Sequence, residues 1–160
     1  MNIYKAAVIL LIEDDVGDQK LIKQSLKSSK IANELHICDG AEDALEYLQK
    51  SKTNEPGYPT PDLVLLDLNL PGMGGKEFLK ILKEDPQMDI IPVVVLTTSD
   101  SDKDVLESFK LQAAGYVKKP VNLEEFSQVI QDLTDYWFVI CKRIDHSLEQ
   151  KYASNTCFVN

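Results

Sequence analysis

The 160-residue chain is long enough to bury a full core, and its 44% hydrophobic and 27% charged content is that of an ordinary soluble globular protein. A net charge of −9, from 17 basic and 26 acidic residues, argues against the basic face that a nucleic-acid backbone binder needs. It suits instead a protein that meets metal cations or basic partner patches. The opening Met1-Asn2-Ile3-Tyr4-Lys5 has no basic export region, and the apolar run at 6–12 is too short for a membrane span. Neither a signal nor a membrane segment is read. Cys38, Cys141 and Cys157 are odd in number and lack CxxC spacing, so they are expected to be reduced, incidental thiols in a cytoplasmic protein.

Short apolar runs alternate with amphipathic stretches along most of the chain. The first run, Ala7–Ile12, is continuously apolar, as a strand buried on both faces requires. The second, 34–38 (Glu34-Leu35-His36-Ile37-Cys38), alternates and reads as an edge strand with one wet face. Ala41, Ala44, Leu45 and Leu48 then repeat at helical spacing, and the Pro- and Gly-containing segment 51–61 reads as a surface loop. Leu63–Leu66 and 93–96 are again continuously apolar, separated by a helical stretch marked by Phe78, Leu79 and Leu82. Leu106, Phe109 and Ala113 mark a fourth helix, before a last strand at 114–117. Asn122 is a plausible cap for the final helix, with Glu125 completing a capping-box-like pair. Five strands and five helices in alternation make an α/β protein whose parallel sheet is covered on both faces.

Ligands of open parallel sheets bind outside the C-terminal ends of the strands. The residues that follow the runs are therefore informative as a set. Glu13, Asp14 and Asp15 follow the first, Asp67 the third, Thr97 and Thr98 the fourth, and Lys118 and Lys119 the fifth, before Pro120. Crowded acids repel unless a cation sits among them, and oxygen-only ligands suit a hard ion such as Mg²⁺. A carboxylate can attack phosphorus to form an aspartyl-phosphate, a transfer catalysed mainly by positioning and charge neutralisation. Asp67 could be the attacking group, with Glu13 and Asp14 for a metal, and Lys119 and Thr97 for the transferred oxygens. Asp15 stays open between the site and a helix cap.

Four blocks, IEDD (12–15), LLDLNLPGMGG (65–75), VVVLTTS (93–99) and GYVKKP (115–120), resemble the signature blocks of response-regulator receiver domains, the CheY-like family. The resemblance covers roughly 6–140, in the family's order and spacing. It implies a doubly wound five-stranded sheet in the order 2-1-3-4-5, a flavodoxin/CheY-like three-layer sandwich. It implies that Asp67 is phosphorylated by a sensor histidine kinase, and that Glu13, Asp14, Asp67 and the backbone carbonyl of Asn69 hold Mg²⁺, with Mn²⁺ as a substitute. Thr97 and Lys119 would contact the phosphoryl group, Tyr116 would be the aromatic switch, and the bond before Pro120 would be cis. Three departures stand out: Glu13 replaces the commoner Asp, Thr98 sits where a small residue is common, and Met73-Gly74-Gly75 lacks the usual helix cap.

After Asn122 the helical pattern runs on through Leu123, Phe126, Val129, Ile130, Leu133, Trp137, Ile140 and Ile144, a helix of roughly 34 Å. Near its end Tyr136, Trp137, Phe138 and Ile140 are apolar on every side. One face can pack on the core; the remainder is expected to form a partner surface for a homodimer or a kinase, the alternative being that it folds back on its own domain. This helix and the 51–61 loop are similar to those of small regulators that partner bacterial phytochrome kinases. The expected organisation is a receiver over 1–144 with a polar tail at 145–160 and no output domain. Rival readings are an aspartyl-phosphate phosphatase, disfavoured by Asn69 where a second acid is needed, a flavin carrier, which lacks its phosphate loop, and an interaction module that never receives phosphate.

Overall fold

The computed structural model describes residues 6–140, apart from the side chains of Val139 and Ile140. Strands β1 (Ala7–Ile12), β3 (Leu63–Leu66) and β4 (Val93–Thr97) are buried along their whole length, which is why their sequences are apolar without alternation. β2 (Asn33–Cys38) and β5 (Gly115–Lys118) are only partly covered and form the two edges. All pairings are parallel, in the order β2-β1-β3-β4-β5. Strand positions are within one residue of those expected, and the edge strand and sheet order are as expected.

Alternate residues of each central strand serve opposite faces. Ile9, Leu11, Leu65 and Leu96 pack with Ile22 and Leu26 of α1 (Val16–Lys27) and with Phe126 and Ile130 of α5 (Leu123–Asp135). Leu10, Ile12, Val64 and Val95 pack with Ala44 and Leu48 of α2 (Ala41–Lys52) and with Phe78, Leu79 and Leu82 of α3 (Gly75–Glu84). Asn122 caps α5 as expected, its side chain accepting the N–H groups of Glu124 at 2.8 Å and Glu125 at 3.2 Å.

Three expectations change. Ser51 and Lys52 are the last residues of α2, so the loop begins at Thr53, and it is tied down: the Tyr47 hydroxyl donates to the Pro59 carbonyl at 2.7 Å. Helix α4 (Asp102–Lys110) exists, but Leu106 and Phe109 are 55% and 48% exposed and Ser108 is the buried residue; Ala113 is buried beyond the helix end. The apolar spacing located the helix, but its inner face is not the one those residues define.

The last helix also differs. Its regular part ends at Asp135 and the chain continues as a π-helical turn, Tyr136–Ile140. Successive side chains diverge less in this wider turn than in an α-helix, and adjacent Trp137 and Phe138 both pack against the α1–α5 side of the core. The expected continuation to Ile144 and the tail at 145–160, with Cys141, His146 and Cys157, lie outside the described residues. No helix among the described residues is long and apolar enough to cross a membrane.

Candidate functional site

The C-terminal ends of β1, β3, β4 and β5 converge as the topology requires, and backbone bonds fix how far each chain end protrudes. The Glu13 N–H donates to the Cys38 carbonyl at 3.1 Å, the Asp67 N–H to the Ile12 carbonyl at 3.0 Å, and the Lys119 N–H to the Thr97 carbonyl at 2.7 Å. Each residue is thus held one step past its strand, with Glu13, Asp67, Thr97 and Lys119 all buried.

The Lys119 ammonium is the hub. It bonds one carboxylate oxygen of Glu13, Oδ2 of Asp18 at 2.8 Å and Oδ2 of Asp67 at 3.2 Å. The other Asp67 oxygen accepts the Asn69 N–H at 3.1 Å. Asn69 also donates from its side chain to the Thr97 hydroxyl at 3.3 Å and the exposed Thr98 hydroxyl at 3.4 Å, joining the ends of β3 and β4. Carboxylate oxygens of Glu13, Asp14 and Asp67 lie within 4.8 Å of one another, Asp14 being the exposed member.

Burial pushes the Glu13 carboxyl up to about 7, against the bonds from Lys119 and the Asp15 N–H that favour its anion. Burial alone would favour a neutral Lys119 amine, but Asp18, Glu13 and Asp67 outweigh it and hold the ammonium above the usual lysine range. One buried cation therefore serves three carboxylates. That excess of negative charge, presented entirely by hard oxygen donors, fits a divalent cation of the Mg²⁺ or Mn²⁺ kind.

Other expected residues fall as follows. Asp15 is the cap of α1, accepting the Asp18 N–H at 2.8 Å, which settles the alternative left open by its sequence position. Tyr116 is half-buried against the α2–α3 side of the core, and its hydroxyl donates to the Ser99 carbonyl at 2.7 Å. Tyr136 is half-exposed, with its ring edge-on to Trp137 at 5.9 Å, whereas Trp137 and Phe138 are partly buried on their own domain. The Ile140 side chain lies outside the described set.

The bond before Pro120 is trans, as are all peptide bonds among the described residues, contrary to expectation. Lys119 is turned inward without it, by its backbone bond to Thr97 and the pull of three carboxylates. Two functional neighbours escaped the sequence reading. Asp18 sits inside α1, where an acid in a first helical turn is common and carries little signal. Glu42, at the start of α2, accepts the Met73 N–H at 2.9 Å and so braces the loop that lacks a helix cap. Gly75 is required where that loop enters α3: a Cβ there would lie 2.5 Å from the Asp67 carbonyl oxygen.

The chain matches the response regulator receiver domain family over residues 9–131. It is 41% identical over 130 residues to response regulator Rcp1 of Synechocystis, covering 81% of this chain and 88% of that protein. Among solved structures it is similar to the Mn²⁺-bound form of Rcp1, at 37% identity and a TM-score of 0.79 over 87% of this chain and 99% of the other. It is also similar to the phosphorylated cyanobacterial phytochrome response regulator RcpA, at 33% identity and a TM-score of 0.80 over 88% and 100% of the two chains. With its sheet order, buried lysine and strand-end acids, the chain belongs to the response-regulator receiver family.

Proposed function

We propose that this receiver takes a phosphoryl group from the phospho-histidine of a sensor histidine kinase onto Asp67 and loses it slowly to water. The observation that carries this reading is the Asp67 carboxylate, 3.2 Å from a buried ammonium and grouped with two further acids at the mouth of the sheet. An Asp67 oxygen attacks phosphorus, and the O–P bond forms as the N–P bond of the phospho-imidazole breaks. The electron pair stays on the ring nitrogen, which takes up a proton. In hydrolysis, water attacks the same phosphorus, the O–P bond breaks, and inorganic phosphate leaves a restored Asp67 carboxylate.

When bound by Glu13, Asp14, Asp67 and the Asn69 carbonyl, Mg²⁺, or Mn²⁺ in its place, supplies neutralisation and alignment of the phosphoryl oxygens. Lys119 is placed to bind one of those oxygens directly, and the Thr97 hydroxyl another. As Thr97 turns toward the phosphoryl group it leaves room beside Tyr116, and the balance between two arrangements of the β4–α4 region shifts. Asn69 stands two residues after Asp67, where an aspartyl-phosphate phosphatase needs a second acid, so the signalling reading is favoured over that enzyme.

The kinase is proposed to be of the phytochrome type, on the strength of the similarity to the cyanobacterial phytochrome response regulator RcpA. The receiver is taken to act in the cytoplasm and to extend to residue 144 before the polar segment 145–160. Half-exposed Tyr136, with Trp137, Phe138 and Ile140, is proposed as a surface for a second copy or the kinase. The test is intact-mass spectrometry after incubation with acetyl phosphate and Mg²⁺. Wild type is expected to gain one phosphoryl mass and Asp67→Asn none; equal uptake by both would sink the assignment.

A further inference from the structure

The Asp67 site is not the only place where a lysine gathers acids. Lys76, in the first turn of α3, bonds one oxygen of Asp104 and, at 2.6 Å, Oε2 of Glu107, both on α4. The other Asp104 oxygen accepts the Ser99 hydroxyl. The Ser99 carbonyl in turn accepts the Tyr116 hydroxyl at 2.7 Å, and Ser99 lies two residues after Thr97. The Asp104 N–H is taken by the capping side chain of Ser101 at 3.1 Å, so the same acid sits at the seat of the helix and of the loop that precedes it.

The other end of this chain of contacts also returns to the site. Lys76 follows Gly75, whose N–H donates to the Leu68 carbonyl at 3.2 Å and where an added Cβ would lie 2.5 Å from the Asp67 carbonyl oxygen. The first turn of α3 is therefore fixed to the residue that carries the proposed phosphoryl group. Helix α4 has little else to seat it: Ser108 is its buried residue, and Leu106 and Phe109 face solvent. A helix without a large buried anchor is located mainly by its polar ties.

We infer that Lys76 is a positioning residue for phosphoryl transfer, acting through Asp104 and Ser99 to hold the β4–α4 loop where Thr97 and Tyr116 can engage the site. This rests on the reading of Asp67 as acceptor. Lys76 pairs with none of the three acids around Lys119, Asp67 included, so its loss should leave the metal site intact. What should suffer is the placement of Thr97 in the transition state.

The experiment follows the rate of acetyl-phosphate-dependent phosphorylation by intact mass in wild type, Lys76→Met, Lys76→Arg, Ser99→Ala and the Lys76→Met/Ser99→Ala double variant. Mg²⁺ affinity and thermal unfolding are measured alongside. Lys76→Met should phosphorylate about fivefold more slowly with unchanged Mg²⁺ affinity, and Lys76→Arg, which keeps both ion pairs, should approach wild type. In the Ser99→Ala background the effect of Lys76→Met should shrink to less than about twofold, because the path is already cut. Lys76→Met at the wild-type rate, or an undiminished effect in the Ser99→Ala background, overturns the inference while leaving Asp67 untouched. A wild type that takes up no phosphoryl group overturns instead the reading beneath it.

Discussion

Both lysine centres gather carboxylates, three around Lys119 and two around Lys76, in different surroundings. Lys119 and its partners Glu13 and Asp67 have side chains 5%, 1% and 7% exposed, with the third partner, Asp18, at 31%; Lys76, Asp104 and Glu107 are 33%, 24% and 39% exposed. In the first, water cannot stabilise a charge left without its partner, so each ion depends on the others. In the second, solvent screens the pairs and replaces them when they break. The buried centre is therefore suited to chemistry, where fixed charge meets developing charge. The exposed one is suited to adjustment, where a helix must be held and still be able to move.

Breaking each centre at its lysine is the sharpest use of this difference. Lys119→Met strands the buried carboxylates of Glu13 and Asp67 and should destabilise the metal-free protein by about 3–5 kcal/mol in urea unfolding, with part of that restored by millimolar Mg²⁺. A loss below about 1 kcal/mol would mean that the buried centre behaves like a surface one.

A smaller effect separates the centres by pH. Burial raises the Glu13 carboxyl from 4.5 to about 7, so the folded, metal-free protein holds a proton that the unfolded chain releases. Its contribution to stability is complete below about 4.5 and is lost as pH rises through about 7. Mg²⁺ needs the deprotonated carboxylate, so its affinity should run the other way, rising by up to about tenfold per pH unit across the same window in calorimetric titrations. Asp104, beside Lys76 and Ser99, is held down at about 2, so the exposed centre should show no transition in that window. An Mg²⁺ affinity flat from pH 5 to 7 would remove Glu13 from the metal site.

The smallest expected effect is on stability at the exposed centre. Lys76→Met should cost less than about 1 kcal/mol, and the difference from wild type should fade as salt is added. A larger, salt-independent loss would show that Lys76 anchors α4 by packing instead of charge.

Much of this arrangement could be read from the chain because burial on both faces leaves a plain mark. β1, β3 and β4 carry unbroken apolar runs, so their ends are visible, and Glu13, Asp67 and Thr97 stand where those runs stop. The site was legible for the same reason: the topology gathers strand ends whatever lies between them. Helices carry weaker marks. The apolar spacing of α4 is real, yet Leu106 and Phe109 turn outward, because sequence periodicity defines a stripe without saying which way it faces. Asp18 was invisible as a site neighbour and Lys76 as a tie between α3 and α4, since an acid or a lysine in a first helical turn is ordinary until a partner far along the chain is brought against it. The π-helical turn at Tyr136–Ile140 has no periodic signal of its own, because it breaks the period used to find helices.

The central claim is that Asp67, and not another of the clustered acids, carries the phosphoryl group. Borohydride reduction of the protein after acetyl phosphate treatment converts an aspartyl-phosphate to homoserine and marks its position for peptide sequencing by mass spectrometry. Homoserine is expected at position 67, dependent on Mg²⁺ and absent when acetyl phosphate is omitted. Homoserine at Glu13's neighbours Asp14 or Asp15, or at no position, would contradict it.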